Sequence, residues 1–114
     1  MRKYKLDQTR APLVEKVIEY IGQNRLPFHM PGHMRGGVIP EPLAEWFGEG
    51  LYKFDLTEVQ GLDYLHTSSG VIGEAQKYAA DAFGVRETKF LINGTTVGVQ
   101  AMMLSSVWNE EKII

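Results

Sequence analysis

The chain has 114 residues, of which 44% are apolar, a net charge of −2 and no cysteine. That length suits one small domain, and the apolar share is enough to build a core, which argues against disorder. Near-neutral charge gives no reason to expect nucleic acid or an anionic membrane as a partner, and the lack of thiols excludes disulfides and thiolate-rich metal sites.

The charged start, Met1-Arg-Lys-Tyr-Lys-Leu-Asp7, lacks the apolar stretch of a signal peptide, and no run nears the about 18 apolar residues of a membrane span. A soluble cytoplasmic protein is expected. Leu13, Val14, Val17, Ile18 and Ile21 keep helical spacing and predict a helix from Ala11 to about Gln23, with Pro12 in its first turn and Thr9 as a cap. Gly22 and Asn24 help to end it. Residues 26–42 contain four of the five prolines, so no long regular element is expected there. Yet this stretch also carries Phe28, His29, Met30, His33 and Met34, unlike an ordinary solvated linker. A short helix from about Leu43 to Phe47 follows, then an irregular segment broken at Gly61. The alanines at 75, 79, 80 and 82 favour a helix from about Ile72 to Phe83, capped by Ser68 or Ser69 and closed by Gly84.

Thr88-Lys-Phe-Leu-Ile92 is β-prone, Asn93-Gly94 is a turn dipeptide, and Thr95 to about Trp108 is a helix apolar nearly all round, which implies burial on most sides. Lys112-Ile-Ile114 opens a second strand. The order strand, helix, strand predicts an α/β layer with a parallel sheet, and two parallel strands cannot cover themselves, so the layer is expected to be incomplete.

The turn Asn93-Gly94-Thr95-Thr96 is suited to an anion. A helix start offers unpaired N–H groups and partial positive charge, Gly94 allows close approach, and two hydroxyls add donors. It is neither a Walker loop nor a dinucleotide fingerprint. A plainly capped helix, with Thr95 as N-cap, accounts for the same residues. His29 and His33 flank Pro31-Gly32, so they cannot share a helix face as zinc-binding histidines do, and no third ligand is evident. They either pack within an ordered loop or, with Arg35, line the mouth of an active site. A paired structural role is the default for His66, and a solvated loop is the default for Asp55, Glu58 and Asp63.

Together the blocks Pro27-Phe-His-Met-Pro-Gly-His-Met-Arg-Gly36, Asp55-Leu-Thr-Glu58, Gly61-Leu-Asp-Tyr-Leu-His66, Gly70-Val-Ile-Gly-Glu-Ala-Gln76, Ala82-Phe-Gly84 and Thr88-Lys-Phe-Leu-Ile-Asn-Gly-Thr-Thr-Val-Gly98 resemble the Orn/Lys/Arg decarboxylase family. They occur in family order across about Thr9 to Ile114. The resemblance implies the N-terminal part of an aspartate-aminotransferase-like large domain, divided into an N-terminal arm (about 1–66) and the start of the cofactor domain (about 67–114). It implies pyridoxal 5′-phosphate (PLP) as cofactor and a basic amino acid (lysine, arginine or ornithine) as substrate. It also implies a homodimer or higher homo-oligomer with active sites at the interface.

Carried over, Gly94, Thr95 and Thr96 hold the cofactor phosphate. His29, His33 and Arg35 lie near the active-site mouth, and residues 62–70 reach toward the partner's cofactor. The family's usual lysine after the second histidine is here Met34. The family's Schiff-base lysine follows a Ser-x-His motif, and no Ser-x-His-Lys occurs in these 114 residues. No catalytic residue is therefore assigned within the chain. Two alternatives remain: a non-catalytic phosphate- or PLP-binding or dimerisation module, and an aminotransferase or aldolase relative of the same fold.

Overall fold

The computed structural model describes residues 4–107, and all structural statements refer to these. Five α-helices follow one another: α1 (Pro12–Gly22), α2 (Glu41–Phe47), α3 (Glu49–Tyr52), α4 (Val71–Phe83) and α5 (Gly94–Ser106). Two short 3₁₀ turns, Met34–Gly36 and Leu65–Thr67, stand in the connections.

Helix α1 begins as its proline requires, with Pro12 in the first helical position. Thr9 does not cap it. The Thr9 hydroxyl is spent on Asp7, at 2.7 Å. Instead the Glu15 carboxylate reaches back to the Ala11 N–H at 3.0 Å and also pairs with Arg10. These contacts, the Arg10 bond foremost, hold the Glu15 carboxyl below its ordinary range.

The main helix-to-helix packing is α1 on α4. Tyr20, Leu62 and Ala80 form the buried apolar centre, with Pro12 beneath the start of α1. The N-terminal segment lies along α4 and is pinned there by Asp81, which is 2% exposed. Asp81 Oδ2 accepts the Leu6 N–H at 3.0 Å and the Gln8 amide at 2.9 Å. A carboxylate so enclosed is tolerated because donors meet it.

The start of α4 departs from expectation. Neither Ser68 nor Ser69 caps it, and the Ser68 hydroxyl instead donates to Gln76 Oε1 at 3.1 Å. Asp63, seven or more residues upstream, takes the role. Its Oδ2 accepts N–H bonds from Gly70 (2.8 Å), Ile72 (3.0 Å) and Gly73 (3.3 Å), and its Oδ1 accepts one from Ser69 at 3.3 Å. Gly73 is required for a steric reason, since a Cβ there would stand 2.6 Å from the Ser68 carbonyl oxygen. Helix α4 ends as predicted, at Gly84 in the left-handed region.

The predicted α/β layer is not present among the described residues, where every regular element is helical. Thr88–Ile92 is not a strand. A strand is defined by pairing to a neighbour about 4.7–4.9 Å away, and this segment has none. The second predicted strand, Lys112–Ile114, and Trp108, the predicted end of the last helix, lie outside the described residues. The burial expected of α5 is also absent: none of its residues is buried, and Leu104 is 80% exposed. The molecule is correspondingly drawn out, with a radius of gyration of 18.5 Å against about 13 Å for a compact chain near this length.

Two outcomes follow. Burial pushes the Asp63 carboxyl up, but N–H bonds from Tyr64, Gly70, Gly73 and Ile72 outweigh it and hold the group below its ordinary range. A pKa depressed by folding means that Asp63's stabilisation is complete above the unfolded value and is lost as pH falls through the folded one. The Gly70, Ile72 and Gly73 amide shifts should therefore report a titration whose midpoint lies below that of an unfolded aspartate; a midpoint at or above the unfolded value would contradict the capping role. Asp63→Ala should speed hydrogen exchange at the first turn of α4 about five- to thirtyfold, the equivalent of about 1–2 kcal/mol for a lost cap, and Asp63→Asn less. Second, the isolated chain should be partly disordered or self-associate through α5 and residues 90–92, giving sedimentation coefficients that rise with concentration. A sharp, concentration-independent two-state melt of a monomer would show otherwise.

Candidate functional site

The turn before α5 is built around Gly94. Its φ is +73°, a conformation that a Cβ makes costly, while the space around it is open. Backbone conformation, not crowding, calls for glycine here. Helix α5 starts at Gly94 itself, and Asn93 makes no side-chain capping bond. Thr95 lies inside the helix, so it is not the N-cap. The first-turn N–H groups thus have no capping side chain at Asn93, and Gly94, Thr95 and Thr96 are all exposed. Behind them Leu91 packs against Gly98, where a Cβ would come within 2.6 Å of the Leu91 side chain. That contact ties the approaching segment to the helix. The arrangement fits the phosphate end of a cofactor: exposed amide donors, two hydroxyls and a positive dipole end.

The Pro-Gly-His segment, which contains a cis peptide bond between Met30 and Pro31, is organised by its histidines. His29 Nδ1 donates to its neighbour's carbonyl, Met30 O, at 2.7 Å, and its Nε2 faces the Tyr20 hydroxyl at 3.5 Å. His33 Nδ1 accepts the Gly36 N–H at 3.2 Å, and its Nε2 donates to Asp55 Oδ2, also at 3.2 Å. The ring of Tyr52 meets His33 edge-on, with centroids 5.3 Å apart. Both nitrogens of both rings are engaged by the protein. Arg35 follows in a left-handed conformation, φ 58°. His66 is exposed and pairs with no group among the described residues, contrary to the paired role expected of it.

Asp55, Glu58 and Asp63 do not converge as an acid/base pair. Asp55 holds His33, Glu58 accepts the Leu65 N–H at 3.1 Å, and Asp63 caps α4. No group of three or more metal-ligating side chains is found among the described residues, and no helix there is long and apolar enough to cross a membrane. Sequence reasoning missed Asp63. Its distance from the helix it caps hides it, and its only signal is an acidic residue just ahead of the Ser68-Ser69-Gly70 approach.

Comparison with known proteins identifies the family. The sequence profile described as Orn/Lys/Arg decarboxylase, major domain, matches residues 11–114. An uncharacterised Bacillus subtilis protein, YaaO, is 46% identical over 95 residues, covering 83% of this chain and 20% of its own length. A Halalkalibacterium halodurans protein named arginine decarboxylase is 36% identical over 107 residues, 94% of this chain and 22% of its own. A Pseudomonas aeruginosa protein named lysine decarboxylase LdcA is 31% identical over 110 residues, 90% of this chain and 14% of its own. The chain thus spans about a fifth of the first two relatives' length. No solved structure matches it. With the profile covering nearly the whole chain, the protein belongs to the Orn/Lys/Arg decarboxylase family, as part of its major domain.

Proposed function

We propose that this chain supplies the cofactor-phosphate turn and the N-terminal arm of a cytoplasmic PLP-dependent decarboxylase acting on lysine, arginine or ornithine. The observation that carries this is the start of α5. A glycine at positive φ opens a helix with no capping bond from Asn93, in the turn whose Asn-Gly-Thr-Thr sequence resembles a phosphate turn. Gly94, Thr95 and Thr96 would hold the phosphate through backbone N–H groups and two hydroxyls, and the dipole of α5 would favour its charge.

When bound, PLP supplies an electron sink for the pair left by departing CO2. The residues of this chain bind and orient. Gly94 to Thr96 fix the cofactor's tail, and Leu91 against Gly98 keeps the turn in register. His29 and His33 hold the loop that presents Arg35 toward the proposed active-site mouth. The arm of about residues 1–66, the homodimer or higher homo-oligomer and a role in polyamine formation belong to the same proposal. The names of the arginine and lysine decarboxylase relatives support the substrate class.

A non-catalytic phosphate- or PLP-binding module is the second reading, and it rests on the same exposed first turn of α5. Inorganic phosphate titrated into the 114-residue chain should move the Gly94, Thr95 and Thr96 amides saturably. Thr95→Val with Thr96→Val should weaken that binding about tenfold or more, as expected for lost charge-assisted bonds. Shifts that do not saturate would remove the phosphate turn from both readings. The two part on CO2 release from lysine, arginine and ornithine. The chain alone should release none, while a protein joining this sequence to a Ser-x-His-Lys segment should release it from at least one. No release from that longer protein, with phosphate binding intact, would favour the binding module.

A further inference from the structure

A cleft of about 500 Å³ lies between the end of α1 and the 3₁₀ turn at Met34–Gly36. Its charged lining is entirely cationic: Arg25, Arg35 and Lys53, with no carboxylate among the lining residues. None of the three forms an ion pair among the described residues. Arg35 Nη1 is enclosed by protein and has no hydrogen-bond partner. Leaving such a donor unmet costs about 1–3 kcal/mol, more where the group is charged.

The backbone that presents Arg35 is held firmly in an unfavourable shape. Met34 and Arg35 both have positive φ, 50° and 58°, a conformation that costs a non-glycine residue about 1–2 kcal/mol. The contacts that hold it are local. Gly36 N–H is shared between His33 O and His33 Nδ1, and Gly37 N–H goes to Met34 O. Asp55 and Tyr52 fix the His33 ring in turn. The Gly36 and Gly37 N–H groups are thus spent within the turn. Arg25 stacks over Tyr20, 5.4 Å from the ring centroid, which leaves its in-plane N–H groups for other use. A strained turn kept in place beside an unmet guanidinium is the kind of expense that functional sites carry.

We infer that this cleft is an oxyanion site, in which the Arg35 guanidinium meets a carboxylate or phosphate group while Arg25 and Lys53 add charge. The planar fork of arginine matches both groups and a lone ammonium does not. The inference deepens the reading that places Arg35 at the active-site mouth, and because it concerns other residues than the turn at Gly94–Thr96 the two can fail separately.

The test is a titration of the ¹⁵N-labelled 114-residue chain with inorganic phosphate and, separately, with acetate. The reporters are the Arg35 Nε–H resonance and the Gly36 and Gly37 amides. Saturable shifts are expected with at least one anion, and comparing the two tells phosphate from carboxylate. Lys53 is exposed, so Lys53→Gln should leave the fold intact and weaken binding severalfold, while Arg35→Lys should weaken it about tenfold or more. Thr95→Val with Thr96→Val should leave these shifts unchanged, which separates this site from the phosphate turn. The idea fails if Arg35 does not respond to either anion, if the response is linear in salt as for bulk screening, or if Lys53→Gln and Arg35→Lys leave the affinity unchanged. It also fails if the shifts follow protein concentration without added anion, since the occupant would then be a second copy.

Discussion

The Asp63 carboxylate is the contact on which the described fold depends most. One side chain gathers N–H groups from Ser69, Gly70, Ile72 and Gly73, and so joins the irregular segment after Gly61 to the start of α4. Helix α4 is in turn the surface on which α1 packs and against which Asp81 pins the N-terminal segment. The first amides of a helix have no partner within it, and here they are met from outside by a residue in the preceding loop. A negative charge at that end also suits the helix dipole. The geometry leaves little freedom nearby: a side chain at Gly73 would strike the Ser68 carbonyl, and one at Gly70 would press on Asp63.

What could be read from the sequence was what is local. The apolar spacing of α1, the alanines of α4 and the glycine closing it gave those helices to within about a residue. Helix α2 starts two residues earlier than expected, at Glu41, and α3 was not foreseen, because four residues carry no period. Caps were read wrongly wherever the nearest hydroxyl was assumed to serve. Thr9 and Ser68 each found other partners, while Glu15 and Asp63 reached the helix starts from further along the chain. Local composition ranks candidates for a cap, but the tertiary path of the chain chooses among them.

The strand expected at Thr88–Ile92 is not formed, for a different reason. Thr88–Ile92 has the right residues for a strand, yet strand formation is a property of a pair. The same logic accounts for α5. Its apolar character on all sides is suited to a helix enclosed in an α/β layer, yet none of its described residues is buried. The relatives of which this chain covers 20–24% have far more chain with which to enclose such a helix. The turn proposed to hold a phosphate could be singled out in the sequence because its residues, Asn93 to Thr96, are consecutive. The cleft at Arg35 could not, since Arg25, Arg35 and Lys53 are scattered along the sequence and meet only through the fold.

That contrast bears on how the Pro-Gly-His block works. Histidines in such a motif invite a catalytic role, but a ring that takes or gives a proton needs a nitrogen open to the reacting group. His33 has none: Nδ1 receives the Gly36 N–H and Nε2–H is given to Asp55. In the neutral ring these two bonds fix the proton on Nε2, and a second proton on Nδ1 would face the Gly36 N–H directly. The ring therefore acts as a brace. It holds Gly36, and through it the left-handed pair Met34–Arg35, against the pull of backbone strain. In the proposed oxyanion site the block's chemistry resides in the guanidinium that its histidine keeps in place, and Asp55, 22 residues away, contributes by orienting that histidine.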